Sequence, residues 1–152
     1  MIEMSWNIQT YDELTTEELY RIIQLRVNVF IVEQQTCYED LDNHDQNSIH
    51  ISYVKNGKLF AYSRILPPGE KFEMASIGRV ITSQEMRGTG LGKEMIQLAL
   101  ETIDRQWPGS EVFIQAQEYL KHFYSSFGFT QVSKPYIYDS LPHIDMLYQA
   151  KK

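Results

Sequence analysis

The sequence is short of the features that mark secreted and membrane proteins. Cys37 is the single cysteine among 152 residues, which excludes an internal disulfide. No apolar run approaches the roughly 20 residues that a membrane-spanning helix needs. The N-terminus, MIEMSWNIQT, has neither the basic head nor the apolar stretch of a secretory signal. From these absences we expect a cytoplasmic protein with no membrane partner.

Basic residues are scarce relative to acidic ones. The chain has 14 lysines and arginines against 20 aspartates and glutamates, a formal net charge of −6. Nucleic-acid binding depends on clustered basic side chains, so this balance predicts no nucleic-acid partner. The acidic segment 33–46 suggests a calcium loop, but Asp45 stands at the glycine position and Ile51 at that of the final glutamate. We therefore expect no metal.

Hydrophobic periodicity indicates one layered domain over residues 1–152, without repeats or linkers. Helical spacing occurs at 15–30, 90–106 and 118–127. Asn56-Gly57 predicts a tight type I′ turn between two strands. Strands are predicted at 5–10, 49–54, 58–66, 75–82, 111–117, 129–133 and 143–150. This order predicts a mixed sheet covered by helices, an α/β or α+β domain.

The segment MRGTGLGKEM, residues 86–95, places three glycines in front of a predicted helix. A P-loop is excluded because Glu94 stands where Ser or Thr is needed and Arg87 where the first glycine is needed. A dinucleotide fingerprint fits poorly, since Lys93 occupies its last glycine position. The first turn of a helix leaves N–H groups unpaired, so the pattern predicts a phosphate or pyrophosphate cradle, with a plain flexible turn as the alternative.

Two motifs resemble those of the GCN5-related N-acetyltransferases (GNAT). Val80-Ile81-Thr82 followed by Arg87-Gly88-Thr89-Gly90-Leu91-Gly92 resembles the R/Q-x-x-G-x-G/A acetyl-CoA signature of that family. YLKHFYSSFGF, residues 119–129, resembles its helix-and-turn motif, and the order of elements matches along nearly the whole chain. RVNVFIVEQQTCYEDLDNHD, residues 26–45, and LPHIDM, residues 141–146, resemble the ElaA-type branch.

The resemblance implies a mixed, mostly antiparallel, twisted sheet of six to seven strands flanked by helices. It also implies an acetyl-CoA-dependent N-acetyltransferase that acts on a primary amine of a small molecule or peptide by direct attack in a ternary complex. A non-catalytic acyl-CoA-binding domain, a sensor or scaffold, is the alternative.

A set of cofactor-binding residues follows from the same resemblance. The glycine loop would take the pyrophosphate on its N–H groups, and residues 80–82 would bind the pantetheine arm like an added strand. Gln117 and Gln84 stand where many members have Asn and Pro, which leaves individual amide contacts open. The predicted cofactor-binding residues are Val80, Ile81, Thr82, Arg87, Gly88, Thr89, Gly90, Leu91, Gly92, Lys93, Gln117 and Tyr124.

Acetyl transfer needs a neutral amine and a protonated leaving thiolate. Tyr124 is the candidate acid, because a phenol with a pKa of about 10 is protonated at pH 7; the alternative is a packing role. A lysine-like amine is neutral in about one molecule in 10³ at pH 7, so a base is expected. The candidates are Glu33, His143 or a water molecule between them.

The acceptor site is predicted to be acidic. Glu33, Glu39, Asp40 and Asp42 could form a negatively charged mouth for a cationic acceptor, with His143 nearby, and a solvated loop is the alternative. The sequence leaves open the acceptor's identity, the use of longer acyl groups, and whether the protein is a monomer or a homodimer.

Overall fold

Eight strands build one mixed sheet in the computed structural model, which describes residues 4–150. The strands are β1 (Met4–Thr10), β2 (Ile49–Lys55), β3 (Lys58–Leu66), β4 (Ala75–Thr82), β5 (Val112–Gln117), β6 (Thr130–Gln131), β7 (Tyr136–Tyr138) and β8 (Leu141–Tyr148). Their order is β1-β2-β3-β4-β5-β8-β6, with β7 also paired to β8. Every paired strand is antiparallel except β4 with β5. The mixed, mostly antiparallel sheet is confirmed, with eight strands where six to seven were predicted.

The strand that sequence analysis missed is β7. It has three residues and is joined to β8 by Asp139-Ser140, whose φ angles are 49° and 67°. Two-residue turns with positive φ are usually recognised from Asn-Gly or a similar pair, which is absent here. This hairpin starts β8 at Leu141 and places His143 inside the strand, opposite Gln117 of β5.

Over residues 4–150, three α-helices accompany the sheet: α1 (Thr16–Arg26), α2 (Leu91–Gln106) and α3 (Lys121–Ser125). The capping box predicted at the start of α1 is present, since the Glu18 N–H donates to Thr15 Oγ1 at 3.1 Å. The first helix was predicted to continue to residue 30. Instead the chain changes after Arg26 into a π-helical turn, Val27–Glu33, a conformation that is rare overall and frequent at functional sites.

The two faces of the sheet are covered by different helices. Ala61 and Tyr62 are neighbours on β3 and therefore point to opposite faces. Ala61 packs in the main core with residues of α2 such as Met95, whereas Tyr62 packs with Ile22 of α1. Within residues 4–150, none of the helices is long and apolar enough to cross a bilayer.

The ladder between β4 and β5 is short. It consists of Ala75 with Val112 and Ser76 with Phe113, although both strands continue well beyond these pairs. On its other side β4 shifts register against β3 next to Arg64, and Arg79 has a φ of 51°. Positive φ is strained for a bulky residue and concentrates at functional sites. A crevice therefore opens at the carboxyl ends of these two parallel strands, the usual place for a ligand in such a sheet.

Candidate active site

Two cavities adjoin each other at this crevice. The larger has a volume of about 650 Å³ and the smaller about 140 Å³. Six residues line both of them: Phe30, Gln34, Val80, Gln117, Leu120 and Tyr124. A molecule in one cavity can therefore meet a molecule in the other beside these shared side chains.

The larger cavity gathers nearly all the residues predicted to bind the cofactor. Its wall is formed by the end of β4, the glycine loop and the first turn of α2. Thr89 is the exception, because its hydroxyl turns away to donate to the Met86 carbonyl at 2.6 Å. Predicted residues that line this cavity are Val80, Ile81, Thr82, Arg87, Gly88, Gly90, Leu91, Gly92, Lys93, Gln117 and Tyr124.

Two glycines of the loop are required by its geometry. Gly90 is the N-cap of α2 with a φ of 87°, a conformation that other L-residues rarely adopt. A Cβ on Gly92 would lie 3.3 Å from Thr82 Oγ1, a tight contact to which the Thr82 side chain would have to adjust. The start of this 16-residue helix lines the larger cavity with two residues that have no side chain, Gly90 and Gly92, which fits a pyrophosphate bound by the first-turn N–H groups.

Arg87 and Glu33 form a bidentate ion pair across this cavity. Arg87 Nη1 and Nη2 donate to Glu33 Oε1 and Oε2, both at 2.9 Å. The hydrogen bonds from Arg87 hold the pKa of Glu33 below its ordinary value. Glu33 lies at the end of the π-helical turn and lines the larger cavity, whereas His143 lines the smaller one. The structure therefore does not bring these two candidate bases into one cavity.

His143 projects into the smaller cavity from β8 and is 8% exposed. Its Nδ1 lies 2.8 Å from the carbonyl oxygen of Leu141, which can only accept, so Nδ1 carries the proton of the neutral ring. The Nε2 lone pair is then available to accept a proton. The rings of Tyr136 and Tyr138 hold the imidazole, with centroids 6.2 Å and 5.4 Å away.

Tyr124 of α3 is 6% exposed and lines both cavities. Its ring packs edge-on against Phe123 and Phe129, with centroid distances of 5.1 Å and 5.9 Å. Burial raises the pKa of the phenol well above its ordinary value, so the hydroxyl keeps its proton throughout the physiological range. The side chain is thus both a core aromatic and a wall of the crevice.

The acidic residues expected at the acceptor mouth have other partners. Asp40 is buried and pairs with Arg26 Nε at 2.8 Å and Arg79 Nε at 2.9 Å. Asp42 pairs with Arg64, which lowers its pKa against the opposing effect of burial. Asp40 and Asp42 are absent from the walls of both cavities, and so is Glu39, which is exposed. The smaller cavity therefore has no acidic mouth built from these three residues.

Sequence analysis did not find the arginine partners in this network. Arg26 and Arg64 are buried, and Asp45 bridges them with Oδ1 2.9 Å and 2.8 Å from their Nη1 atoms. The sequence does indicate such partners, since Arg64 and Arg79 each interrupt an apolar strand. Arginines almost never lie inside a core unless they are paired, so arginines within apolar strands predict acidic partners nearby.

The model of the family described as Acetyltransferase (GNAT) domain matches residues 12–150. This chain belongs to the GNAT family. ElaA of Escherichia coli is a GNAT relative that is 42% identical over 148 residues, 96% of this chain and 95% of its own. Membership of the family supports acyl-CoA-dependent N-acyltransferase activity.

Solved GNAT structures share the whole architecture. An acyl-CoA N-acyltransferase from Pseudomonas aeruginosa superposes with a TM-score of 0.91 at 36% identity, covering 96% of this chain and 99% of that one. The crystal structure of Escherichia coli ElaA gives the same TM-score and coverage at 40% identity. The fold is therefore that of the GNAT acyltransferases over its full described length.

Replacing Gly90 with aspartate is expected to weaken CoA binding about 10²-fold. The new carboxylate would face a pyrophosphate at the N-terminus of α2, and like charges brought together cost several kcal/mol. Gly90→Asn is the matched control, because asparagine has the same size, tolerates positive φ and lacks the charge. Calorimetric titration of both folded variants with CoA checks this, and equal affinities for the two would contradict it.

Proposed function

We propose that this protein is an N-acetyltransferase that moves the acetyl group of acetyl-CoA to a primary amine of a small molecule or peptide. Transfer takes place by direct attack within a ternary complex, in one cytoplasmic domain that spans residues 1–152 and acts as a monomer or homodimer. Residues 1–3 and 151–152 of that range lie outside the described residues. One observation carries the proposal: Tyr124 lines both cavities, and so lies where a thioester in one and an amine in the other would meet.

On the cofactor side, the chain provides backbone donors and two cations. The first turn of α2 binds the pyrophosphate, and Arg87 and Lys93 add positive charge beside it. The end of β4, residues 80–82, binds the pantetheine arm by hydrogen bonds of the strand type. Acetyl-CoA, when bound, supplies the thioester carbonyl that the amine attacks.

His143 is the base that the geometry favours. Its ring lines the smaller cavity, where the acceptor amine would lie, and the contact of Nδ1 with the Leu141 carbonyl leaves Nε2 as the accepting nitrogen of the neutral ring. Glu33 is less suitable because its two carboxylate oxygens accept hydrogen bonds from Arg87, which lowers its pKa and its proton affinity. We assign Glu33 the positioning of Arg87 in the cofactor loop.

Tyr124 is the proton donor to the leaving sulfur. It lies at the junction of the two cavities, where the thioester and the amine would meet. Its raised pKa keeps the phenol protonated as a hydrogen-bond donor to the developing thiolate. The same shift makes Tyr124 a weaker acid than an exposed tyrosine, so its proton moves to the sulfur only as the C–S bond breaks.

An acceptor screen tests the proposed function against the non-catalytic alternative. Acetyl-CoA is mixed with a panel of primary amines, thiol release is followed, and the acetylated products are identified by mass spectrometry. A catalytic domain releases thiol only with an acceptor and yields an N-acetyl product. Tight CoA binding without product for any amine or short peptide would support the sensor or scaffold instead. Parallel reactions with longer acyl-CoA donors test the preference for acetyl.

Replacing His143 with glutamine is expected to lower kcat/KM about 10²-fold at pH 7. The loss should shrink as the pH rises, because an amine with a pKa of about 10.4 then sheds its own proton and needs no base. Full pH–rate profiles of the variant and of His122→Gln, an exposed histidine on α3, provide the check. A loss that is equal at every pH would indicate a structural role for His143.

A further inference from the structure

The smaller cavity has a basic wall that acetyl transfer itself does not require. Lys71, from the loop between β3 and β4, lines this cavity together with Arg79 of β4 and His143. Arg64 lies in the same wall. The sequence had predicted an acidic site for a cationic acceptor, so the sign of the charge around this cavity bears directly on the choice of acceptor.

The arginines in this wall are neutralised inside the protein. Ion pairs of 2.8–3.5 Å, and one shorter contact between Arg64 and Asp42, join three aspartates to three arginines. The aspartates are Asp40, Asp42 and Asp45, and the arginines are Arg26, Arg64 and Arg79. The network is therefore balanced in charge. It provides a rigid frame for the cavity and leaves no surplus carboxylate to attract a cation.

Lys71 stands apart from this balance. Within residues 4–150 it forms no ion pair, and its ammonium lies 5.4 Å from the centroid of the Phe72 ring. Lys71 is exposed at the rim of the cavity, and partial burial together with the guanidiniums of Arg79 and Arg64 lowers its pKa. Asp42 and Asp139 act in the opposite direction. An added anion beside Lys71 would relieve the repulsion between these cations.

Asp139 is the carboxylate that the described residues contribute to the wall of the cavity. It lies in the turn between β7 and β8 and is exposed, so solvent screens its charge. Lys71 and Arg79 line the same cavity as the hairpin that carries Asp139 and His143. The wall of this cavity thus combines the cationic side chains of Lys71 and Arg79 with the imidazole of His143 on β8.

We propose that the acceptor is a small amine that also carries a carboxylate, with Lys71 binding the carboxylate and His143 receiving the amine. This inference rests on the proposed acetyltransferase function and names its substrate class. The cavity volume of about 140 Å³ is close to that of an engineered cavity of about 150 Å³ that holds benzene, so the enclosed part of the acceptor is small. The rings of Phe30, Tyr38 and Phe72 in the wall suit an apolar side chain beside the two charged groups.

Turnover of matched acceptor pairs tests this substrate class. Alanine is compared with ethylamine and phenylalanine with phenethylamine, because each pair differs only by the carboxylate. The expected kcat/KM ratio of acid to amine is about 10 to 100 in the unmodified protein, the worth of one charge-assisted contact. Lys71→Met removes that contact, so the acid and the amine of each pair should then react with similar kcat/KM. Since the same two acceptors are compared in both proteins, differences in their own amine pKa cancel.

Two control variants separate Lys71 from general charge effects. Lys55→Met removes a lysine from the end of β2 that lines neither cavity and should leave the ratio unchanged. Asp139→Asn removes the opposing carboxylate and should raise the ratio. A higher kcat/KM for the simple amines, or a ratio that Lys71→Met does not alter, would overturn the inference while the acetyltransferase function stands.

A binding measurement separates failure of the inference from failure of the proposed function. Phenylalanine and 3-phenylpropionate are titrated into the protein saturated with CoA, and affinity is followed by calorimetry. Both should bind, about 10- to 100-fold more weakly to Lys71→Met. If both ligands bind and Lys71→Met weakens their binding, but no acetylated product forms, the acetyltransferase function is refuted and the carboxylate site stands. Absence of binding at millimolar concentrations would overturn the carboxylate site.

Discussion

Tyr124→Phe will lower kcat by about 10²–10⁴-fold and leave the affinity for acetyl-CoA nearly unchanged. The substitution removes the phenolic proton and keeps the ring that packs against Phe123 and Phe129. General acid catalysis contributes a factor of this size, roughly 3–5 kcal/mol of barrier. The measurements are kcat, CoA affinity and melting temperature on one preparation.

A buried tyrosine outside the site provides the control for Tyr124. Tyr53 of β2 is 9% exposed, packs against Trp6 and lines neither cavity. Tyr53→Phe should therefore leave kcat within about twofold, as expected for a change away from the reacting groups. A folded Tyr124→Phe protein with full turnover would show that another group protonates the thiolate, and a loss of tenfold or less would indicate water.

Asp45→Ala is expected to lower the free energy of unfolding by about 3–5 kcal/mol. Asp45 Oδ1 lies 2.9 Å from Arg26 Nη1 and 2.8 Å from Arg64 Nη1, and its removal leaves two buried guanidiniums without this carboxylate. Asp104→Ala removes an exposed carboxylate from α2 and should change stability by about 0.5 kcal/mol or less. Urea denaturation of the three proteins measures the difference, and equal midpoints would refute the structural role of the network.

The same network predicts how stability depends on pH. Burial alone would raise the pKa of Asp45, but the guanidiniums of Arg26 and Arg64 bring it below its ordinary value. A carboxylate whose pKa is depressed in the folded state contributes stability above its unfolded pKa of about 3.9, and this contribution is lost as the pH falls through the folded value. We therefore expect the unmodified protein to lose stability below about pH 4, and Asp45→Asn to show a shallower loss there.

The glycine loop in front of α2 could be predicted from sequence because its conformation is set locally. Gly88, Gly90 and Gly92 act through their own backbone at the start of α2, and their spacing is visible within one short segment. The type I′ turn at Asn56-Gly57 is predictable for the same reason, and both residues have the positive φ that it requires. Such short patterns can be interpreted from one segment, because the structures that they form do not depend on residues elsewhere in the chain.

Long-range pairing explains what the sequence could not reveal. Sequence analysis placed Asp40 in a solvated loop or at the mouth of the acceptor site. Its partner Arg79 could not be recognised because it is 39 residues away and on another element. Sequence analysis assigned Glu33 to the acceptor site and Arg87 to the cofactor site. The two residues are 54 positions apart in the chain, and the structure places them in one ion pair. The hydrophobic pattern also missed β7, because three residues are too few to show a period of two.

The ion pair between Glu33 and Arg87 also bears on how the protein discriminates among phosphorylated metabolites. A phosphate that reaches Arg87 must exchange with a bidentate carboxylate, so this contact yields only the difference between two charge-assisted interactions. A lone phosphate gains little from such an exchange. A longer molecule that also reaches the first turn of α2 and the end of β4 gains from those contacts without competition from Glu33. In the proposed cofactor site Glu33 would therefore compete with a phosphate for Arg87, so that binding would depend on the number of simultaneous contacts rather than on charge alone.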